Sequence, residues 1–589
     1  MKSKFPKTSP IRKIGLASFG LLSASIGAAP ATPLFQDDLS NAIHPEGVWS
    51  VSDGVLAASE DRFIWTEEDY RNFVLELEFR NHAGTNSGVA IYCSDTENWV
   101  PNAIEIQIAD DYAEPWKSAD PSWQAGAFFG HKRPIKSAVV NPAGEWNQMT
   151  ITASGTYIAV EMNGQLVNAI DLSDYTSGTL APDGTEIPHW MPKPWSEAAT
   201  HGRIGFQGKH AGAPIEFRNI SIRDIDSIER TALRAMNQAL PQETNSGLRL
   251  GRGVNLSHWL SQRNDDMPDP RDFFTAADVA LIASQGWDHI RLPIEESIMW
   301  NEDGSQNEVA FQTLDTVIGW IHEAGLKAIV DLHIVNSHHF NAVNDGGKNT
   351  LFTSEESQSQ LLNLWDQLSA HLNKWENDFL AYEILNEAVA ENHEDWNKLV
   401  AKGIASVRAL EPERPIVVGS NMWQGAWTFP YLRIPSDDPN LILSYHFYAP
   451  FPFTHYKASW VGNYAAYEGP VNYPGLLLSE EQLAAHADAP YYDMLADNIG
   501  PHDRQSLYQE MLPAIEYARA HRIPLYCGEW GSLKTVERDD LLKWYADMAQ
   551  ILDSEGINHA IWDYQGSFGI KDYESGKVDT QILNAILGN

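Results

Sequence analysis

Cysteine is nearly absent from the chain: Cys93 and Cys527 are the only two among 589 residues. They lie in segments of different character, so no disulfide framework holds the protein together, and both are read as buried free thiols. Positive charge is scarce as well. Lysine and arginine number 41 against 79 aspartates and glutamates, a formal net charge of −38. That balance argues against nucleic acid and stable membrane association as partners and leaves a neutral polymer or small molecule. No glycine-rich phosphate loop opens a helix after a strand, and neither H-E-x-x-H nor paired cysteines offer a metal site.

What is present begins with a leader. Residues 1–31 carry five basic side chains, no acid, the apolar stretch IGLASFGLLSASIG and the small residues AAPA. This is read as an export signal peptide, its apolar part too short to span a bilayer. Its removal takes the formal charge to about −43, which suits a periplasmic or extracellular setting.

Length alone asks for more than one core, and the chain changes rhythm midway. From 34 to 225 short alternating strands such as NFVLELEFR, SGVAIYC and AIEIQIA follow one another, and Asn163-Gly164 marks a hairpin. The expectation is an all-β jelly roll of two sheets. A polar, helix-prone linker is placed at 226–245. From 246 to 589 strands alternate with amphipathic stretches, for example 308–325, where Phe311, Leu314, Ile318 and Ile321 share a helical face. Eight such units predict an α/β (β/α)8 TIM barrel.

The C-terminal ends of the eight proposed strands carry polar or aromatic groups: Asn255 with His258, Arg291, His333, Asn386 with Glu387, Asn421, His446 with Tyr448, Glu529, and Trp562 with Asp563. Burying such groups costs free energy, and the C-terminal rim of this barrel is where active sites are built. Glu387 and Glu529 on one rim suit glycosidic bond cleavage, in which one carboxyl stays protonated and the other is ionised. Arg291 and Tyr448 are suited to keeping Glu529 anionic, which makes it the nucleophile and Glu387 the acid/base. Asn386 can hold a sugar hydroxyl, Trp562 offers a face to a pyranose ring, and His333 and His446 can bind hydroxyls or tune the carboxylates. The alternative weighed against this is a metal held by Asp331, His333, His338 and His339, whose spacing fixes no coordination geometry.

The segments RGVNLSHWL, HIRLP, VDLH, EILNEA, SYHFY, CGEWG and IWDY, in this order, resemble glycoside hydrolase family 5, the cellulase family. The resemblance covers 245–589 and implies a retaining double displacement through a glycosyl-enzyme intermediate, without cofactor. It also implies roles for Arg291, His333, Asn386, Glu387, His446, Tyr448, Glu529 and Trp562. APFPFTHYKASW after the sixth strand is similar to a stretch of some bacterial members, and the insertion it opens, with Trp460, Tyr464 and Tyr467, is expected to line a glycan cleft. In the first half NSGVAIY, IEIQIAD, GAFFG, GEWNQMTI, MNGQLV and FRNISI resemble the 3-keto-disaccharide hydrolase domain, a concanavalin-like jelly roll. Its candidate polar site is Glu105, Gln107 and Asp110, and Trp99, Trp116 and Trp123 could stack on sugars or pack in a core.

The reading that follows is an exported retaining β-glycanase, expected to be an endo-β-1,4-glucanase, acting on a β-linked polysaccharide or oligosaccharide. A β-mannanase, xyloglucanase or β-1,3-glucanase of the same family is the near alternative. A glycan-binding protein with an inactive barrel, or one whose jelly roll carries the main activity, stands further off.

Overall fold

The computed structural model describes residues 30–135, 139–182, 185–210, 212–225, 239–264, 266–342, 349–435 and 438–588. The expected leader lies almost wholly outside them, as does linker segment 226–238. No helix among the described residues is long and apolar enough to cross a membrane. The chain divides into two units, residues 1–237 and 238–589.

The first unit is all β. Its larger sheet runs Gln165–Asp171, Tyr157–Met162, Trp146–Ser154, Asn72–Asn81, Ile215–Asp224, Val55–Ala58 and Trp49–Ser52, with Thr32–Pro33 also paired to Ile215–Asp224. The smaller runs Ala42–Ile43, Ile64–Thr66, Arg203–Phe206, Asn86–Cys93 and Ile104–Ala109. Alternation sends Phe73, Leu75, Leu77 and Phe79 of one sheet and Val89, Ile91, Ile104, Ile106 and Ile108 of the other into a common core. Burial of each such side chain contributes roughly 2 kcal/mol. The expected hairpin forms at Asn163-Gly164, where both residues have positive φ, 50° and 74°, as a two-residue turn matched to strand twist requires.

The second unit is a closed barrel of eight parallel strands: Arg252–Asn255, His289–Glu295, Lys327–Ile334, Leu380–Glu383, Ile416–Gly419, Leu441–Phe447, Leu525–Trp530 and Asn558–Ile561. Leu248 and Leu250 pack with Ile329, Ala381, Val417, Ile442, Tyr526 and Ala560 in one apolar cluster, so residues just before the first strand are part of this core. The expected helix spans Glu308–Glu323 and buries Phe311, Leu314, Ile318 and Ile321. The fourth strand is shorter than its apolar run suggested, ending at Glu383. Beyond it the chain bends, keeping the Asn386 amide on the Leu332 carbonyl at 3.1 Å, and sets Asn386 and Glu387 buried at the barrel mouth.

Candidate active site

Arg291, fully buried in the second strand, is the hub of the barrel mouth. Its Nε donates to Glu383 at 2.7 Å, one terminal nitrogen to Glu529 at 2.8 Å and Asn255 at 2.9 Å, and the other to Asn386 at 2.8 Å. That last nitrogen also lies 3.0 Å from Asp331 Oδ2. All five guanidinium donors can thus find acceptors, and one cation faces three carboxyl groups.

Glu529, next to last in the seventh strand, accepts, besides Arg291, the Tyr448 hydroxyl at 2.9 Å. Glu387 is set differently. Its φ is 44°, a left-handed conformation costing about 1–2 kcal/mol for a residue with a Cβ. Its amide donates to Gln424 Oε1 at 2.9 Å, while Asn421 holds both polar groups of Ala390 at 2.8 and 2.9 Å. The turn is pinned from the fifth strand's end, so the strain is held by neighbours. His446 Nδ1 shares a hydrogen bond with Glu387 Oε1 at 2.8 Å and lies 3.5 Å from Glu529 Oε2. A carboxyl oxygen of Glu387, one of Glu529 and a ring nitrogen of His446 all lie within 4.8 Å of one another.

The electrostatics of the two glutamates differ. Burial raises both; for Glu387 the charge of Glu529 raises it further, well above the usual carboxyl range. For Glu529 the upward push of burial is opposed first by the charge of Arg291 and also by the Tyr448 hydroxyl. One proton shared by this pair therefore resides on Glu387. Burial also drives His446 well below its ordinary value and His333 down to about 3, so both imidazoles are neutral.

His333 Nδ1 lies 2.7 Å from Asp331, and its ring is parallel to Trp562 at 5.5 Å. Trp562 packs with Ala458, Leu533 and Phe568, with Tyr448 and Val461 beside them, making one apolar wall next to Glu529. Of the other rim groups, His258 bonds Ser257 at 2.8 Å, and Asp563 is held by the same hydroxyl. The metal alternative is not built: among the described residues Asp331, His333, His338 and His339 do not gather, and the group close enough to hold a cation is Glu387, His446 and Glu529.

Glu383 and Gln424 have no place in the sequence reading, and Asp331 enters it only as a metal ligand. Glu383 and Asp331 lie inside strands and pair with Arg291, and Gln424 reaches both the Glu387 amide and Glu383. A glutamate inside the apolar run LAYEIL was the available signal, since a buried carboxylate demands a partner. In the insertion, Tyr464 and Tyr467 do not face a cleft. They are buried and stack on each other at 5.7 Å, because an i, i+3 pair in a 3₁₀ turn eclipses. Trp460 alone of the three is exposed, beside His455 and Phe568.

In the sheet unit Asp110 accepts the amides of Gly84 and Tyr112 at 2.9 and 3.3 Å and braces its own loop. Gln107 is bonded to Asn86 at 3.0 Å. Trp116 donates to Gly84 at 3.0 Å, Trp123 packs against Phe129 and Trp190, and Trp99 against Phe63.

Comparison with known proteins gives two family matches. Residues 253–567 match the model described as cellulase (glycosyl hydrolase family 5), and residues 30–223 match the 3-keto-alpha-glucoside-1,2-lyase-like domain. Endoglucanase C of Acetivibrio thermocellus is 29% identical over 339 residues, which cover 57% of this chain and 97% of that protein. Among solved structures, endoglucanase Cel5A from the hyperthermophilic Thermotoga maritima is 23% identical with a TM-score of 0.47, over 57% of this chain and 96% of its own. A putative glycosyl hydrolase from Parabacteroides distasonis is 49% identical with a TM-score of 0.33, over 33% of this chain and all of its own.

Proposed function

The chain belongs to the cellulase family, glycosyl hydrolase family 5, and is a glycosidase hydrolysing O-glycosyl bonds; from that premise we propose that it is a retaining endo-β-1,4-glucanase working through Glu529 as nucleophile and Glu387 as acid/base. The observation that carries the proposal is the separation of the two carboxyl groups. With one oxygen of each within 4.8 Å of the other, they lie nearer the ~5–5.5 Å of a double displacement than the about 6.5–9.5 Å at which an inverting pair holds its water.

In the first step Glu529, its charge held by Arg291 and Tyr448, attacks the anomeric carbon, and the C1–O bond breaks as Glu387 gives its proton to the departing oxygen. In the second step Glu387, now ionised, takes a proton from water, whose oxygen displaces Glu529 from C1 and restores both groups. The positive charge that develops at the ring is stabilised by the neighbouring carboxylate. Asn386, fixed by Arg291, is placed to hold a sugar hydroxyl, and Trp562 to carry the ring. The β-1,4-glucan assignment is supported by relatives named endoglucanase, and the leader expected at 1–31 places the reaction outside the cytoplasm.

Proton NMR of early product from carboxymethyl cellulose and cello-oligosaccharides tests this. The expected result is cleavage with retained β configuration. An α anomer appearing first would overturn the mechanism, and faster cleavage of mannan, xyloglucan or β-1,3-glucan would replace the substrate.

A further inference from the structure

The loop leaving the fifth barrel strand is strained over three consecutive residues. Met422, Trp423 and Gln424 all have positive φ, 56°, 58° and 54°, the left-handed region that costs free energy for any residue with a Cβ. Such a run persists only where its surroundings hold it. Here the Thr428 hydroxyl lies 2.8, 2.6 and 2.8 Å from the Ser420 hydroxyl and the Asn421 and Gly425 carbonyls. The Trp423 amide donates to the Ala388 carbonyl at 3.2 Å, and the Trp423 indole to the Phe340 carbonyl at 3.0 Å.

What the strain secures is the side chain of Gln424, which is 1% exposed. Its Oε1 accepts the Glu387 amide at 2.9 Å, and its Nε2 donates to Glu383 Oε1 at 3.2 Å. A backbone N–H only donates and an ionised carboxylate only accepts, so the carboxamide fits this place in one orientation. Gly419, the last residue of the fifth strand, leaves the room for it. A Cβ there would stand 2.2 Å from Gln424 Cγ and 2.4 Å from Nε2, while the φ of Gly419 lies outside the left-handed region. Space, not backbone freedom, calls for the glycine.

A continuous line of bonds results. Arg291 holds Glu529 with one terminal nitrogen and Glu383 Oε2 with its Nε, and Gln424 runs on from the other oxygen of Glu383 to the Glu387 amide. Both reacting glutamates are thus referred to one guanidinium. His446 bonds the Glu387 carboxyl, but it does not hold the turn beneath it, where φ is 44°.

We propose that Gln424 is a positioning residue for the acid step: by tying the Glu387 turn to the Glu383–Arg291 pair it aims the acid's proton at the departing oxygen, and Gly419 and the strained run 422–424 place it there. The inference rests on Glu387 being the acid/base, and Gln424 itself touches no reacting atom. A shift of about 1 Å in such a group costs on the order of 10²-fold, whereas a leaving group that needs no proton is indifferent to it.

The test measures kcat/KM of the full chain on aryl β-cellobiosides from dinitrophenyl to unsubstituted phenyl, a series of similar shape in which the need for a proton grows. Gln424→Leu, which removes both bonds at similar volume, is expected to stay within about threefold of the parent on the dinitrophenyl substrate and to lose about 30-fold or more on the phenyl one. Gly419→Ala keeps Gln424 in the chain but pushes its side chain aside, and should show the same steepened dependence; where Gln424→Leu gives no folded protein, this variant decides alone. A purely structural role would lower every aryl substrate by one factor, since a smaller folded fraction scales all rates alike. Uniform loss, or parent-like rates across the series, overturns the proposal. Glu387→Gln is the reference. If it too fails to discriminate among the leaving groups, the acid/base assignment falls and this inference with it; if it discriminates and the Gln424 variant does not, only the positioning role is lost.

Discussion

In the barrel, Asp331, Glu383 and Glu529 are buried around a single guanidinium, with Asn255, Asn386 and Tyr448 completing their hydrogen bonds and Glu387 held instead by His446. In the sheet unit the Glu105 side chain is 5% exposed and has no hydrogen-bond partner among the described residues. The difference shows two ways of setting a carboxyl's charge. Supplying a cation and hydroxyl donors to Glu529, while denying them to Glu387, splits two nearby acids into one that is ionised and one that keeps its proton. Removing every partner leaves a carboxyl neutral through desolvation alone. The first arrangement suits a group that must react.

The sharpest way to break this contrast is to remove the reacting groups. Glu529→Ala is expected to lower kcat by about 10⁴-fold or more, because the covalent step has no substitute. Glu387→Gln should cost about 10²–10⁴-fold on natural glycans, and much less on dinitrophenyl glycosides, whose leaving group needs no proton. With those substrates a glycosyl adduct on Glu529 should accumulate and be visible by intact mass spectrometry. Turnover of glucan near the parent rate in either variant would remove that residue from its role.

Arg291→Leu tests the other half of the barrel's arrangement. It leaves Asp331, Glu383 and Glu529 facing one another without a cation, a loss of about 3–5 kcal/mol for a broken buried ion pair. Unfolding by denaturant should show it, and the loss should shrink as pH falls, since protonation relieves the repulsion. A variant as stable as the parent at pH 8 would mean that the three acids are not held ionised by Arg291.

Much of this was legible in the residues and some was not. The barrel could be read because its strands alternate with helical stretches whose apolar spacing is unambiguous, and the reacting pair because glutamates at the ends of apolar strands have no structural excuse. The turn at Glu387 was hidden, since nothing in the run LAYEILNE says that the regular strand ends at Glu383. Tyr464 and Tyr467 were assigned to a cleft because aromatic composition does not reveal which way a loop folds. Glu105 was picked out with Gln107 and Asp110 on alternation alone, which cannot separate a group that braces a loop, as Asp110 does, from one left unpaired. That distinction needs neighbours in space, above all Gly88, whose lack of a side chain means nothing until Glu105 is placed over it.

The smallest effect follows from the sheet unit's half of the contrast. Burial pushes the Glu105 carboxyl from its ordinary 4.5 up to about 8, so between these values the folded chain binds more protons than the unfolded one. Stability from this residue is therefore fully present below about pH 4.5 and falls as pH rises through the window, by up to about 1.4 kcal/mol per unit. Glu105→Gln abolishes that slope without adding charge or volume. Its melting temperature relative to the parent should climb steadily from pH 5 to pH 8 and then level off. The barrel's acids titrate identically in both chains and cancel from the difference. A difference independent of pH would mean that Glu105 is ionised in the folded protein, and the sheet would then have to supply it a partner as the barrel does for Glu529.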